Sequence, residues 1–441
     1  MTTLAAALTD IADFGLPEQF DQLKKHLDPA WIEEALQLAG TATVRRRRLP
    51  AEQVIWLVIG MALYRNCAIE RVVDDLGLAL PDERRTLVAK SAITQARQRL
   101  KEEPLAYLFA LTAAEWATRS ADADRWRGLS LYGMDGTTLR VADSDENRAA
   151  FGGQKTHRGR SGYPQVRVVA LMALRSHLLS AFRFADYGTG ETTLAREVWR
   201  EIPERSLTIV DRNFLVAKDL MWWEASGERH WLTRAKKNTN YAVVEKLGRN
   251  DQMVVIDVKQ DGLPKQWVVR AIDYQIKGHP PSTLLTSLHD AEAYPAAELI
   301  ALYHERWELE TAYDELKTHM LDRQETIRSR TVEGVHQELW GIAIAYNLVR
   351  LEMERAAQEL GVPPTRISFT AALHIYREEM RWIVAAARRL TTGTIPKQLA
   401  TMRLHMKRLV LPERRPRSYP RAVKVKMSNY PRKRPSPRRP N

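Results

Sequence analysis

Residues Ser130–Val141 read SLYGMDGTTLRV, and this stretch alternates in the manner of a β-strand. Working outward, Tyr163–Arg175 and Leu178–Asp186 are two more strand-like runs, joined at Ser176-His177. Thr192–Ile202 then has helical spacing. Leu207–Val210 is a short, fully apolar strand that ends at Asp211. Leu215–Trp223 reads as a helix and His230–Lys236 as a fifth strand. Three hairpin-linked strands followed by alternating helix and strand predict a mixed sheet with helices packed on it.

That element order is the one found in the ribonuclease-H-like fold. On either side the character changes. Residues 1–125 read as all-helical: Leu16, Phe20, Leu23 and Leu27 repeat at helical spacing, as do Trp31, Ile32, Ala35 and Leu36. Four arginines, Arg45–Arg48, precede a buried helix beginning near Pro50, and Ile69–Leu76 is a short helix. After the Leu80-Pro81-Asp82 break comes a helix over Ser91–Leu100. Ser91 could cap it, and Gln95, Arg97, Gln98 and Arg99 would project from it. Those residue types suit base edges and phosphates, and equally a surface helix of an ordinary bundle. Between about 241 and 290, Met253–Val258 and Gln266–Ile276 alternate like antiparallel strands around Asp261-Gly262-Leu263-Pro264, an all-β insertion. A helix follows from near Pro295, then long helical segments over Val332–Leu360 and Ile367–Leu390. The expected fold is α/β. A ribonuclease-H-like core (126–330) carries the insertion, an all-helical N-terminal domain (1–125) precedes it, and C-terminal helices (331–410) follow. A basic tail (411–441), too rich in Pro, Arg and Lys to build a core, is expected to be disordered.

The 441 residues exceed one ordinary core, and 44% hydrophobic content suffices for two or three domains. A single cysteine, Cys67, excludes disulfide stapling and a cysteine-based zinc cluster, and fits a reducing compartment. The N-terminal residues lack the pattern of a signal peptide, and the longest apolar run, Val54–Tyr64, is too short to span a bilayer. The expectation is a cytoplasmic, nucleoid-associated protein. Net charge is +13, but from Glu413 to Asn441 eleven Lys and Arg face one acid, so the tail holds +10 of it. A nearly balanced body with a basic tail points to a polyanionic partner, nucleic acid rather than membrane.

Tyr303–Lys317, YHERWELETAYDELK, has neither Gly nor Pro and reads as one helix. Tyr303, Arg306, Glu310 and Lys317 stand at offsets 0, 3, 7 and 14, within roughly 60° of one another on a helix. One carboxylate therefore lies in a row with a phenol, a guanidinium and an ammonium. The cations suit phosphates and the acid suits a metal ion; a solvated face with i,i+4 ion pairs would read the same way. Asp135, a charge inside an apolar central strand, costs several kcal/mol unless paired. Asp211 lies at the C-terminal end of a strand, where open α/β sheets meet ligands. Each has an ordinary alternative, a hairpin turn for Asp135 and a helix cap for Asp211. With Glu310 they form three hard oxygen donors without His or Cys, which favours Mg²⁺ or Mn²⁺ over zinc. Two such ions can clamp an in-line phosphoryl displacement. Histidines His157, His304 and His319 read as surface or structural residues. Trp222, Trp223 and Trp307 read as core, and Trp267 as the best candidate to stack an unpaired base.

Four blocks carry a family resemblance: Met134–Gly152 (MDGTTLRVADSDENRAAFG), Thr208–Phe214 (TIVDRNF), Tyr303-x2-Arg306-x3-Glu310-x6-Lys317, and Gly334–Arg350 (GVHQELWGIAIAYNLVR). Together they resemble the insertion-sequence-4 family of bacterial DDE transposases, and the third matches its Tyr-Arg-Glu-Lys signature at every spacing. Asp-Arg-Asn-Phe departs slightly from the commoner Asp-Arg-Gly. The resemblance implies that Asp135, Asp211 and Glu310 are catalytic and bind two Mg²⁺ ions, for which Mn²⁺ could substitute. It implies that Tyr303, Arg306 and Lys317 bind DNA phosphates near the cut. The expected partners are terminal inverted repeats and target DNA, in a homodimer on DNA. A ribonuclease-H-like nuclease or resolvase that does not join ends, a non-catalytic DNA-binding regulator and an RNA-binding protein are the alternatives.

Overall fold

The computed structural model describes residues 27–41, 49–76, 78, 88–156, 159–160, 162–259, 262–276, 279–322, 326–387, 404–407 and 409–411. The basic tail beyond 411, the Arg45–Arg48 run, Leu16, Phe20, Leu23, the break at 80–82 and His157 lie outside these residues, with the expectations placed on them.

The chain opens on helices α1 (Pro29–Leu38), α2 (Ala51–Leu63), α3 (Ile69–Asp75), α4 (Lys90–Leu100) and α5 (Glu103–Ala123). Asp28 caps α1 by accepting the Ala30 N–H. Eleven consecutive residues of α2, Gln53–Leu63, are buried, so this helix is covered on every side. One cover is α11 (Val332–Leu360), whose Gly341 lies so close that a Cβ there would sit 2.6 Å from Val58 Cγ1. The N-terminal helices and the long C-terminal helix thus share a core. Ser91 does not cap α4: Ala89 holds that position without a side-chain bond. Arg97 does not project either. Its guanidinium donates to Gln337 Oε1, Ser329 Oγ and the Gly334 carbonyl, all near the start of α11.

The central sheet is built from β1 (Ser130–Val141), β2 (Gln165–Ala173), β3 (Leu179–Asp186), β4 (Ser206–Val210) and β5 (Arg229–Arg234). Their order across the sheet is β3-β2-β1-β4-β5. β1, β2 and β3 pair antiparallel, while β1–β4 and β4–β5 are parallel, which is the ribonuclease-H-like arrangement. Between strands lie α6 (Asp145–Phe151), α7 (Glu191–Trp199) and α8 (Ala217–Ala225). The insertion supplies β6 (Ala242–Gly248), β7 (Asp251–Asp257), β8 (Gln266–Tyr274) and β9 (Ser282–Thr286). β9 pairs antiparallel with β5, so the insertion continues the core sheet in the order β5-β9-β8-β7-β6. Fully buried Arg270 on β8 holds it together, donating to Asp251 Oδ1 at 2.8 Å. A short β10 (Thr326–Ile327) pairs with the far end of β1.

The segment over 303–317 is not one uniform helix. α9 (Ala296–Glu305) and α10 (Trp307–Asp314) meet at Arg306, and a wider π turn spans Glu315–Met320. The turn is pinned from outside. Buried Glu315 accepts from Tyr346 Oη at 2.8 Å and from Arg350 Nη1 at 3.3 Å, both on α11, and lies 3.3 Å from His177 Nδ1. Burial pushes its pKa up, but Arg350 and His177 outweigh that and bring it down to about 2. Helix α12 (Phe369–Ala387) packs beside α11.

Candidate active site

Position along β1 and β4 brings the two aspartates together. Met134 pairs with Val210 in parallel register. The next residues, Asp135 and Asp211, therefore stand beside each other where β4 ends, on strands ~4.8 Å apart. Asp135 lies within β1, not in a turn. Asp211 is partly the cap that its sequence context allowed: Oδ1 accepts the Arg212 N–H at 2.6 Å and opens a short 3₁₀ turn, Arg212–Phe214.

Glu310 arrives on α10, which crosses β1 at Gly133. A Cβ on Gly133 would lie 2.6 Å from Leu309 Cδ2, so the missing side chain is what admits the helix. Two bonds fix the register of this segment. Tyr313 Oη donates to the Asp135 carbonyl at 2.6 Å, and Lys317 Nζ donates to Thr137 Oγ1 at 3.2 Å. Side chains alternate across a strand, so positions 133, 135 and 137 share the face that α10 and the π turn cover. The segment Leu309–Lys317 consequently runs along β1, whereas Tyr303 lies across the sheet among Arg234, Asp211 and Tyr274.

Arg306 Nη2 donates to Glu310 Oε1 at 3.2 Å. Burial works against its charge, yet Tyr303, Asp211, Glu310 and Asp135 together hold its pKa above the usual range. All three acids thus act on one guanidinium. Burial most of all, helped by the charges of Glu191 and Asp211 and opposed by the Gly136 N–H and Arg306, raises the Asp135 carboxyl to about 6. Tyr303 is 7% exposed, and burial raises its phenol pKa against the pull of Arg306 and Arg234. Beside Asp211 opens a cleft of about 440 Å³ lined by Asp211, Arg212, Asn213, Lys236, Lys237 and Asn238.

Among the described residues, no three His, Cys, Asp or Glu side chains converge into a ready-made metal cage. Asp135 Oδ1 accepts the Gly136 N–H at 2.8 Å, Asp211 accepts Arg212, and Glu310 accepts Arg306. The donor set nonetheless fits a hard divalent cation. Its three acids, brought in by two strands and one helix, are all oxygen donors, and burial first, then the charges of Glu191 and Asp211, raises the Asp135 pKa.

Two aromatic expectations are corrected. Trp267 is 4% exposed, donates to Glu224 and packs on Trp231 at 5.4 Å between ring centroids, so no base can stack on it. Trp307, expected in the core, is 47% exposed, with Arg306 over its ring at 5.5 Å; Trp222 is exposed as well, whereas Trp223 is buried. His304 packs on Tyr274, and His319 lies 3.7 Å from Asp314. The sequence pattern does not single out Glu191, Lys236 or Lys237. Nothing in their local pattern marks them, because a Glu starting a helix and a Lys after a strand are commonplace.

Residues 17–110 match the family profile described as Insertion element 4 transposase N-terminal, and residues 126–348 match that described as Transposase DDE domain. The chain belongs to the insertion-element-4 family of DDE transposases. It is 37% identical over 418 residues to the transposase InsG for insertion sequence element IS4 of Escherichia coli (strain K12), covering 93% of each chain. It is 39% identical over 246 residues to InsZ of the same organism, covering 54% of this chain and 81% of that one. A solved piggyBac transposase synaptic complex with hairpin DNA aligns with a TM-score of 0.43 at 11% identity, over 94% of this chain and 87% of the other, too distant to bear on the site. This DDE transposase is therefore an enzyme acting on DNA, with the divalent-metal dependence that its family implies. Among the described residues, no helix is long and apolar enough to cross a membrane.

Proposed function

We propose that Asp135, Asp211 and Glu310 hold two Mg²⁺ ions, replaceable by Mn²⁺, and that this transposase uses them to cut at the terminal inverted repeats of its element and to join the freed 3′-OH to target DNA. The observation behind this is the register of β1 on β4, which sets two aspartates side by side under the helix that carries Glu310 and that Arg306 precedes. Bound divalent ions would polarise the scissile phosphate and ionise the attacking oxygen. The chain's own groups bind and orient. Arg306, shared among three acids, is a donor that a phosphate oxygen can recruit. Burial keeps the Tyr303 phenol protonated, so it donates toward a phosphate. Lys317, tethered to Thr137, puts a positive charge two residues along β1 from Asp135. Lys236 and Lys237 at the neighbouring cleft extend the cationic surface along which a strand can run.

In this reading, residues 1–125 recognise the ends, 126–330 cut and join, and 331–410 help pair two copies, since joining two ends calls for a homodimer on DNA. The work is done on nucleoid DNA, with the basic tail 411–441 either binding target DNA or adding non-specific affinity. The test is Asp211→Asn in the full chain. It should abolish Mg²⁺-dependent cleavage of an end-containing duplex while still retarding that duplex on a gel. Undiminished cleavage would refute the assignment.

A further inference from the structure

A fourth carboxylate, Glu191, acts on Asp135 from the other side of the sheet. Gly133 and Asp135 face α10, so by strand alternation Gly136 faces the opposite layer. There it meets Glu191, the first residue of α7: a Cβ on Gly136 would lie 2.7 Å from Glu191 Cδ and closer still to Oε1. The bare backbone of Gly136 is what lets the carboxylate in. Its other oxygen, Oε2, accepts from Asn213 Nδ2 at 2.7 Å. Asn213 belongs to the 3₁₀ turn that Asp211 opens, and the next residue, Phe214, is buried and anchors that turn. Among the charges acting on Asp135, that of Glu191 stands ahead of those of Arg306 and Asp211. An acid placed against another acid is unfavourable unless it does something there, and the N-terminus of α7 offsets only part of that.

We propose that Glu191 is a positioning residue: by holding Asn213 it fixes the Asp211 turn beside Asp135, and so sets the spacing of the two aspartates for their ions. This rests on the metal-binding reading above. It also explains why Gly occupies position 136, since any side chain there would expel the brace. Partners of metal-ligating carboxylates typically change metal affinity 10–100-fold when removed.

The experiment is titration calorimetry of Mn²⁺ into the full chain, with Asp211→Asn as control and circular dichroism as a check on folding. Glu191→Ala should weaken Mn²⁺ binding at least tenfold, and Asn213→Ala, at an exposed position, should do the same. The double variant should be no worse than either single one, as two ends of one bond require. Glu191→Gln keeps an acceptor for Asn213 and should stay within about threefold of the parent. If Asp211→Asn abolishes binding but Asn213→Ala leaves it within threefold, the brace is refuted and the metal site stands. If Glu191→Gln is as weak as Glu191→Ala, the charge acts directly and the positioning role is overturned. If Asp211→Asn binds Mn²⁺ normally, the failure belongs to the metal-site reading itself.

Discussion

Gly133→Ala tests how α10 is set on the sheet. An added Cβ would lie 2.6 Å from Leu309 Cδ2, 2.9 Å from Leu309 Cγ and 3.0 Å from Leu174 Cδ1. Ordinary carbon contacts are ~3.5–4.0 Å, so Leu309 must retreat by about 1 Å. Leu309 and Leu174 are both fully buried, and neither can swing into solvent. Overpacking of this kind costs ~1–3 kcal/mol. The retreat also carries Glu310, the next residue, away from Asp135, and a ~1 Å misplacement of a reacting group costs on the order of 10²-fold in rate. Urea unfolding should show the stability loss, and single-turnover cleavage of an end duplex the rate loss, while gel retardation of the duplex changes little. Leu309→Ala combined with Gly133→Ala opens the needed space, and should recover part of the rate despite its own cavity cost. A Gly133→Ala protein that cuts within threefold of the parent rate would show that the close approach does not place Glu310.

Two further predictions concern stability. Asp135 titrates near 6 when folded against 3.8 when unfolded, because burial and its acidic neighbours disfavour the charge. The folded chain therefore binds that proton more tightly, so the cost is absent below the unfolded value and fully present once pH exceeds the folded one. The difference amounts to up to roughly 3 kcal/mol. Asp135→Asn should thus be more stable than the parent at pH 8 with a chelator present, and the gap should close toward pH 4 in urea titrations; a pH-independent gap would contradict the cause given. In the insertion, Asp251→Ala leaves buried Arg270 with only main-chain acceptors at Leu288, Asp290 and Tyr294, and should cost about 3–5 kcal/mol in the same assay. A loss under 1 kcal/mol would mean that those carbonyls suffice.

The sequence by itself determined the strands of the core, because alternation and short apolar runs are local properties of a half-buried or buried strand. Val332–Leu360 likewise has the bounds that its spacing predicts. The signature spacing put Arg306 and Glu310 one helical turn apart, where they bond, and Lys317 reaches Thr137 on β1. Only the tertiary structure decided what covers each face. Periodicity shows that a side chain shares a stripe with another, not which segment packs over it. Hence Trp267 is sealed by Trp231 and Glu224 while Trp307 stands open, and Arg97 turns into α11 instead of toward solvent. The insertion joins the core sheet because β9 finds the free edge of β5, a pairing that no local pattern encodes. Glu191 enters the site for the same reason. Its place beside Asp135 follows from a helix, a strand and a turn that meet only once the sheet has closed, with a glycine at the one position where a side chain would have kept them apart.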